Sequence, residues 1–218
     1  EIASKVKKPI YSSDYYLEEL RKQIIKMYGE DFLYEGGLSV RSSLDTSTQR
    51  IADLALKSGL LDYDKRNGYR GVISNDNDKN WFDKYQGSKQ PHNFLLAKII
   101  EIDESKGRVA IEIIIGKKIV HGYLSNYSWA RKSLGKGYLG PKINKASEVF
   151  KINDIIHVSI SEDNLYDLEQ VPKINGAIIA MDTHSGRVFA LSGGFDFNES
   201  NFNRVFQAKR QPGSSFKP

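Results

Sequence analysis

The chain has 218 residues, 39% hydrophobic and 27% charged, which allows one large domain or two small ones and excludes a disordered chain. It has no cysteine, which excludes disulfides and thiolate chemistry, and no apolar run of the roughly eighteen residues a membrane-spanning helix needs. A net charge of +5 could attract nucleic acid, anionic lipid or an acidic polymer, but is read here as lysines spread over a solvated surface.

The opening residues Glu1-Ile2-Ala3-Ser4-Lys5 lack the apolar centre of a signal peptide, and no initiator methionine precedes them. A stretch of a longer protein is therefore expected. Residues 1–12 read as a basic lead-in with Lys5, Lys7, Lys8 and Pro9. Ser13 or Asp14 is placed to cap a helix that stops at Gly29, with acids in its first turn and lysines later. Leu17, Leu20, Ile24 and Met27 form its expected apolar face. Leu38 to Leu44 alternates as a half-buried strand does, and Asp45 is the expected cap of a second helix through Leu60. Residues 62–71 read as a polar turn. The acidic run around Asp76 fails as a calcium loop: its sixth position is Trp81 rather than glycine and its twelfth is Gly87 rather than glutamate. It reads as a solvated loop.

From Asn93 the pattern is all-β. Phe94–Ile102, Arg108–Ile115 and Lys118–Leu124 read as strands, and Ile155–Ile160 and Leu165–Val171 as a closing hairpin. Five short strands, with an excursion over 125–151 between the third and fourth, fit a small OB-like barrel. Such barrels often bind single strands, and Tyr123, Tyr127, Trp129, Arg131 and Lys132 could form a patch for one. Aromatic residues in a small barrel are more often core, so no nucleic-acid partner is called. Gly176–Asp182 and Arg187–Gly194 then read as a tight hairpin, apolar enough for both faces to be covered. His184 falls at its tip, and the four histidines show no metal-ligand spacing, so no metal or cofactor is called.

Ser-x-x-Lys occurs three times, as Ser4/Lys7, Ser133/Lys136 and Ser214/Lys217. Only the third follows a predicted hairpin and enters a predicted helix, which starts at or near Ser214 with Pro218 in its first turn. On that helix Ser214 and Lys217 share a face, a hydroxyl beside an amine that could accept its proton.

Several segments together are similar to the class A penicillin-binding proteins of Gram-negative type. They are Leu38–Asp45, Tyr63–Gly71, Gly176–Asp182, Gly186–Gly194, Phe202-Asn203-Arg204 and Arg210–Pro218. The resemblance implies an α+β fold, with transpeptidase-type sheet and helix segments flanking an all-β OB-like barrel. Its expected parts are a linker and transpeptidase region over 1–71, the barrel over 72–172 and the start of the transpeptidase domain over 173–218. It assigns Ser214 as the acylated nucleophile and Lys217 as its general base, acting on peptidoglycan stem peptides and acylated by β-lactams. It also implies a cell-wall synthesis protein as the barrel's partner, and a parent enzyme at the periplasmic face of the inner membrane. The parent's membrane anchor and glycosyltransferase domain would lie outside this stretch, itself read as soluble. The family's Ser-x-Asn and Lys-Thr-Gly motifs do not occur here, so the stretch alone is expected to be inactive. A non-enzymatic module whose barrel docks a protein or a polyanion is the alternative. A carboxypeptidase or β-lactamase is disfavoured by the flanked β-domain.

Overall fold

A computed structural model describes residues 13–78, 80–162 and 164–217. The lead-in, the Ser4/Lys7 pair and the backbone of Pro218 lie outside the described residues. The chain divides into two compact units, Leu61–Ile174 and the flanking Glu1–Leu60 with Asn175–Pro218. The sequence draws the start of the β-domain at residue 72, whereas the compact unit begins eleven residues earlier, at Leu61.

The central unit is built on β1 (Leu95–Asp103), β2 (Arg108–Ile115), β3 (Lys118–Ser125), β4 (Asp154–Glu162) and β5 (Leu165–Glu169). β1, β2 and β3 form an antiparallel meander, joined through turns where Gly107 and Gly116 take φ of +60° and +62°. β3 then pairs in parallel with β5, β5 antiparallel with β4, and β4 antiparallel with β1, so the sheet closes into a five-stranded barrel. The parallel seam needs Gly122: a Cβ there would sit 2.5 Å from the Tyr166 ring. Ile99, Ile111, Ile113, Ile156, Val158 and Leu168 fill the interior with no exposed surface. Their alternation along each strand is the two-residue period legible in the sequence. A further two-residue strand, Ser74–Asn75, pairs with β4.

The acidic run is followed by a short helix that the sequence reading leaves as loop, Trp81–Tyr85. It covers the outside of the barrel: Trp81 is 1% exposed against Leu96, Ile114 and Ile155, and its indole N–H donates to Glu112 at 3.1 Å. Asp76 pairs with Lys84 at 2.7 Å, and buried Lys98 donates to the Asp78 carbonyl at 3.0 Å. These contacts account for the Asp76 carboxylate and bring buried Lys98 to the run.

The two ends of this unit are tied together by Asp64, which is 3% exposed. Arg70 donates from one guanidinium nitrogen to both of its oxygens at 2.8 Å, Gln170 donates at 2.7 Å, and the Lys173 N–H donates at 3.1 Å. Arg70 also donates to the Val171 carbonyl. Gly68, at φ +88°, lets the chain pass where a Cβ would lie 2.8 Å from the Arg131 carbonyl oxygen. Tyr69 turns inward to the core beside Trp129 and Phe150. Lys65 pairs with Glu169 at 2.8 Å on the same side.

In the flanking unit α1 (Asp14–Tyr28) forms as expected, but its buried face differs. Leu17 and Met27 are 46% and 64% exposed, whereas Tyr15, Tyr16 and Ile24 are buried. The tyrosines are preferred because each buries a ring and satisfies its hydroxyl. Tyr15 donates to the Ser200 carbonyl, and Tyr16 to the Val188 carbonyl at 3.2 Å. A short α2 follows over Glu30–Glu35. Leu38–Leu44 is not a strand. Its link to the hairpin is the Ser43 hydroxyl donating to Val188 at 2.8 Å and the Asp45 N–H donating to Phe189 at 2.9 Å, too few bonds for a ladder. Asp45 does cap the next helix, accepting the Thr48 N–H at 2.7 Å. That helix, α3, spans Thr46–Arg66 and so runs through the turn predicted after Leu60. Its last turn is held by the Asp64 and Lys65 contacts that a local reading does not contain.

Burial lowers the His157 imidazole on β4 to about 4, while its Nε2–H donates to Gln90 Oε1 at 2.8 Å beside the Phe94 ring. The unfolded chain takes up this proton near pH 6.5 and the folded chain does not. Stability therefore falls as pH drops from 6.5 to about 4, and this group adds nothing further below that. Both tryptophans lie in the barrel unit, so their fluorescence follows its unfolding. Urea unfolding at pH 7 and pH 5 should differ by up to about 2 kcal/mol, and His157→Gln should flatten most of that difference. An unchanged slope in the variant would contradict the assignment.

Candidate active site

The stretch that carries the nucleophile call hangs from a hairpin, β6 (Ile178–Met181) and β7 (Val188–Ser192). Asp182 shapes its turn, accepting the N–H groups of His184 and Ser185 at 3.2 Å and the Ser185 hydroxyl, while Gly186 takes φ +70°. The tip is solvated and His184 is exposed there. Ala190, Leu191 and Ser192 are buried, but Ile179 and Met181 are 43% and 54% exposed. The expectation that both faces are covered is therefore corrected for this chain: its own helices supply cover to part of the hairpin only.

Cover comes from α3. Gln49 is 1% exposed, and its side-chain amide accepts the Leu191 N–H at 2.9 Å and donates to the Leu191 carbonyl at 3.1 Å. It thus supplies both bonds that a neighbouring strand would give that residue. The same Gln49 nitrogen donates to Asp53, whose carboxyl burial raises above the usual range and whose bond to Ser192 opposes that shift. None of these residues is picked out by a sequence motif; the signal was a polar residue on the apolar face of a helix.

After β7 the chain turns on Gly193 and Gly194. A Cβ on Gly193 would lie 2.5 Å from Asn203 Oδ1, and one on Gly194 would meet the Tyr15 hydroxyl. The close approach lets the Arg204 N–H donate to the Gly193 carbonyl at 3.1 Å. Buried Asn203 holds the loop in turn, accepting the Val205 N–H at 3.1 Å on its side chain and the Gln207 N–H at 2.8 Å on its carbonyl. The Gly-Gly and Phe-Asn-Arg segments singled out in the sequence thus pack on each other as one loop.

Ser214 lies in a single 3-10 turn, Gly213–Phe216, rather than at the start of an α-helix. Gly213 enters at φ +55°, and the Lys217 N–H donates to the Ser214 carbonyl at 3.1 Å. An α-helical bond from that carbonyl would need the N–H of residue 218, which is proline and has none. The turn keeps the three-residue spacing, which places Ser214 and Lys217 on one side. Both are exposed, and among the described residues no hydrogen bond joins the serine hydroxyl to the lysine amine. The structure thus brings the two positions together in sequence register but not into a formed dyad. Ser133/Lys136, by contrast, belongs to a small surface hairpin of the barrel unit (Ser133–Gly135 with Tyr138–Leu139).

The aromatic and basic patch weighed for the barrel does not assemble. Tyr127 and Trp129 pack on the core through Phe150 and Tyr69. Arg131 is tied to the Gly140 carbonyl at 2.6 and 2.8 Å, and Tyr123 lies on β3 beneath Arg108. Among the described residues no group of three or more acidic, histidine or cysteine side chains is placed to hold a metal.

Residues 69–174 match the family described as the penicillin-binding protein OB-like domain. Over 219 residues the chain is 36% identical to penicillin-binding protein 1A of Rickettsia typhi, covering 99% of this chain and 26% of that protein. It is 32% identical to penicillin-binding protein 1A of Pseudomonas aeruginosa and 31% to that of Escherichia coli, over 98% and 95% of this chain. The chain spans about a quarter of the length of these relatives. The crystal structure of penicillin-binding protein 1A from Haemophilus influenzae superposes with a TM-score of 0.73 at 26% identity, over 97% of this chain and 30% of that one.

Replacing Gln49 with leucine leaves the Leu191 N–H and carbonyl buried without partners. The expected loss is about 2–4 kcal/mol of stability in the flanking unit. Amide hydrogen exchange should show it as faster exchange at Leu191 than in the barrel strands. Equal protection in variant and wild type would contradict the strand-mimic role.

Proposed function

The chain belongs to the class A penicillin-binding protein family, and from that premise we propose that it is the part of a peptidoglycan D,D-transpeptidase that presents the acylated serine. The observation that carries the reading is the Ser214/Lys217 spacing on one turn, in a chain related over nearly its whole length to penicillin-binding protein 1A. The flanking segments are assigned to the transpeptidase region and the barrel to an OB-like insert within it.

In the proposed reaction Ser214 Oγ attacks the carbonyl between the two terminal D-alanines of a stem peptide. Lys217 Nζ, neutral at that moment, takes the hydroxyl proton and passes it to the leaving amine. The C–N bond breaks, D-alanine departs, and an acyl ester on Ser214 remains. An amine of a neighbouring stem peptide then attacks that ester, which forms the cross-link and frees the serine. A β-lactam acylates the same oxygen by ring opening. The Ser214 N–H supplies one oxyanion donor. The second donor and the carboxylate-binding group belong to the Lys-Thr-Gly strand, which this sequence does not contain. The parent enzyme is placed at the periplasmic face of the inner membrane; among the described residues no helix is long and apolar enough to cross a membrane.

Labelling with a fluorescent penicillin tests both halves. The parent protein should label covalently and its Ser214→Ala variant should not, with Lys217→Ala reduced by at least about a hundredfold in rate. Residues 1–218 alone should label weakly or not at all. Equal labelling of the Ser214→Ala parent would remove the serine assignment, and strong labelling of the 218-residue chain would remove the claim that it is inactive.

A further inference from the structure

One segment of this chain carries a local excess of positive charge. The chain has 32 lysines and arginines against 27 acids, and residues 125–151 hold six of those cations and one acid, Glu148. Outside that stretch the sums balance at 26 cations and 26 acids, so the excursion between β3 and β4 is a locally basic segment with an excess of five. Arg131 is tied to the Gly140 carbonyl, but Lys132, Lys136, Lys142, Lys145 and Lys151 are all exposed. No ion pair among the described residues uses any of these five. The one acid, Glu148, accepts the Asn144 N–H at 3.3 Å, and Glu104, within electrostatic reach of Lys145, accepts the Ser147 N–H at 2.9 Å. Both nearby carboxylates are thus committed to backbone donors.

The same excursion carries a cleft of about 270 Å³ lined by Asn126, Tyr127, Ser128, Ile143, Asn144 and Lys145. Its polar lining is two side-chain amides, a hydroxyl, a tyrosine and an ammonium. That set suits a sugar bearing amide and carboxyl groups: amides pair with amides, an aromatic edge meets the ring, and lysine meets a carboxylate. Asn126 holds φ +45°, the left-handed region, which non-glycine residues adopt at a cost and which recurs at ligand sites. In the same excursion, the Ser133–Gly135 and Tyr138–Leu139 hairpin exposes Leu134 and Tyr138 at 62% and 70%, and Lys132 and Lys136 are exposed.

We propose that this excursion is a non-catalytic binding surface for the carboxylate-bearing peptide-glycan polymer itself, holding the product or neighbouring wall by charge and by the cleft. The choice of polymer rests on the proposed function, whereas the charge concentration and the cleft stand without it. The surface lies in a different unit from Ser214, so the two can be tested separately.

The test is cosedimentation of the 218-residue chain with insoluble peptidoglycan stripped of attached protein, at increasing salt. Wild type should be retained at low salt and released as salt rises. The K132E/K136E/K142E/K145E variant should bind at least about tenfold more weakly while its thermal unfolding midpoint stays within a few degrees. Lys145→Gln and Asn144→Ala, milder changes at the cleft, should each weaken retention several-fold. Peptidoglycan whose carboxyl groups have been amidated should lose wild-type binding to a similar degree. Ser214→Ala should be retained as wild type is, whichever way the penicillin labelling falls. Undiminished binding by the quadruple variant, or to amidated polymer, would overturn the proposal. So would retention that appears only before the wall is stripped of protein, since the partner would then be an acidic protein.

Discussion

The barrel is an insertion, and an insertion must bring its ingoing and outgoing strands back to one place. Asp64 is the group that does this. Its carboxylate gathers the Arg70 guanidinium and the backbone of Lys173 from opposite ends of the unit, and Gln170 donates to it from the last barrel strand's extension. A carboxylate 3% exposed would be costly without such partners; with four bonds from three donor groups converging it becomes a reason for the strands to lie where they do. The Tyr63–Gly71 segment, which looks from sequence like a family signature of the enzyme, is thus accounted for by closure. Asp64 clamps, Gly68 makes room, Tyr69 fills the core and Arg70 reaches the Val171 carbonyl.

A parallel logic runs through the flanking unit, where side chains stand in for missing backbone partners. Gln49 supplies a strand's two bonds to Leu191, Ser43 and Tyr16 satisfy the Val188 carbonyl, and Asn203 orders the loop above Gly193. These contacts fix a two-stranded hairpin that would be marginal alone. They also order the loop from β7 as far as Gln207. Ser214 and Lys217 lie beyond it, make one backbone bond to each other and are exposed.

The barrel was legible in the sequence because its information is local. Strand alternation, turn glycines and the long excursion specify five strands, and the structure leaves Arg108–Ile115 unchanged and shifts ends of the others by no more than two residues. The polar α3 extension, the α1 face and the loop at Leu38–Leu44 were not legible, because each is decided by a partner far away in sequence. Nothing within Asp62–Arg66 says that its carboxylate will be held by Gln170 and Lys173. Nothing within α1 says that tyrosine hydroxyls will find carbonyls at Val188 and Ser200. At Ser214 the sequence reading places a helix start, and the structure describes a 3-10 turn over Gly213–Phe216. The total charge does not locate the local excess; counting by segment shows six cations and one acid within 125–151.

The clamp can be measured directly. A double-mutant cycle with Asp64→Ala and Arg70→Ala, followed by urea unfolding through the two barrel tryptophans, isolates the pair from the rest of the unit. The Asp64 change alone should cost about 3–5 kcal/mol, since it leaves Arg70 and Gln170 without their acceptor. The coupling between the two sites should be about 1–3 kcal/mol. Additive effects, or an Asp64→Ala barrel that unfolds at the wild-type urea midpoint, would contradict the claim that this carboxylate joins the two ends of the barrel unit.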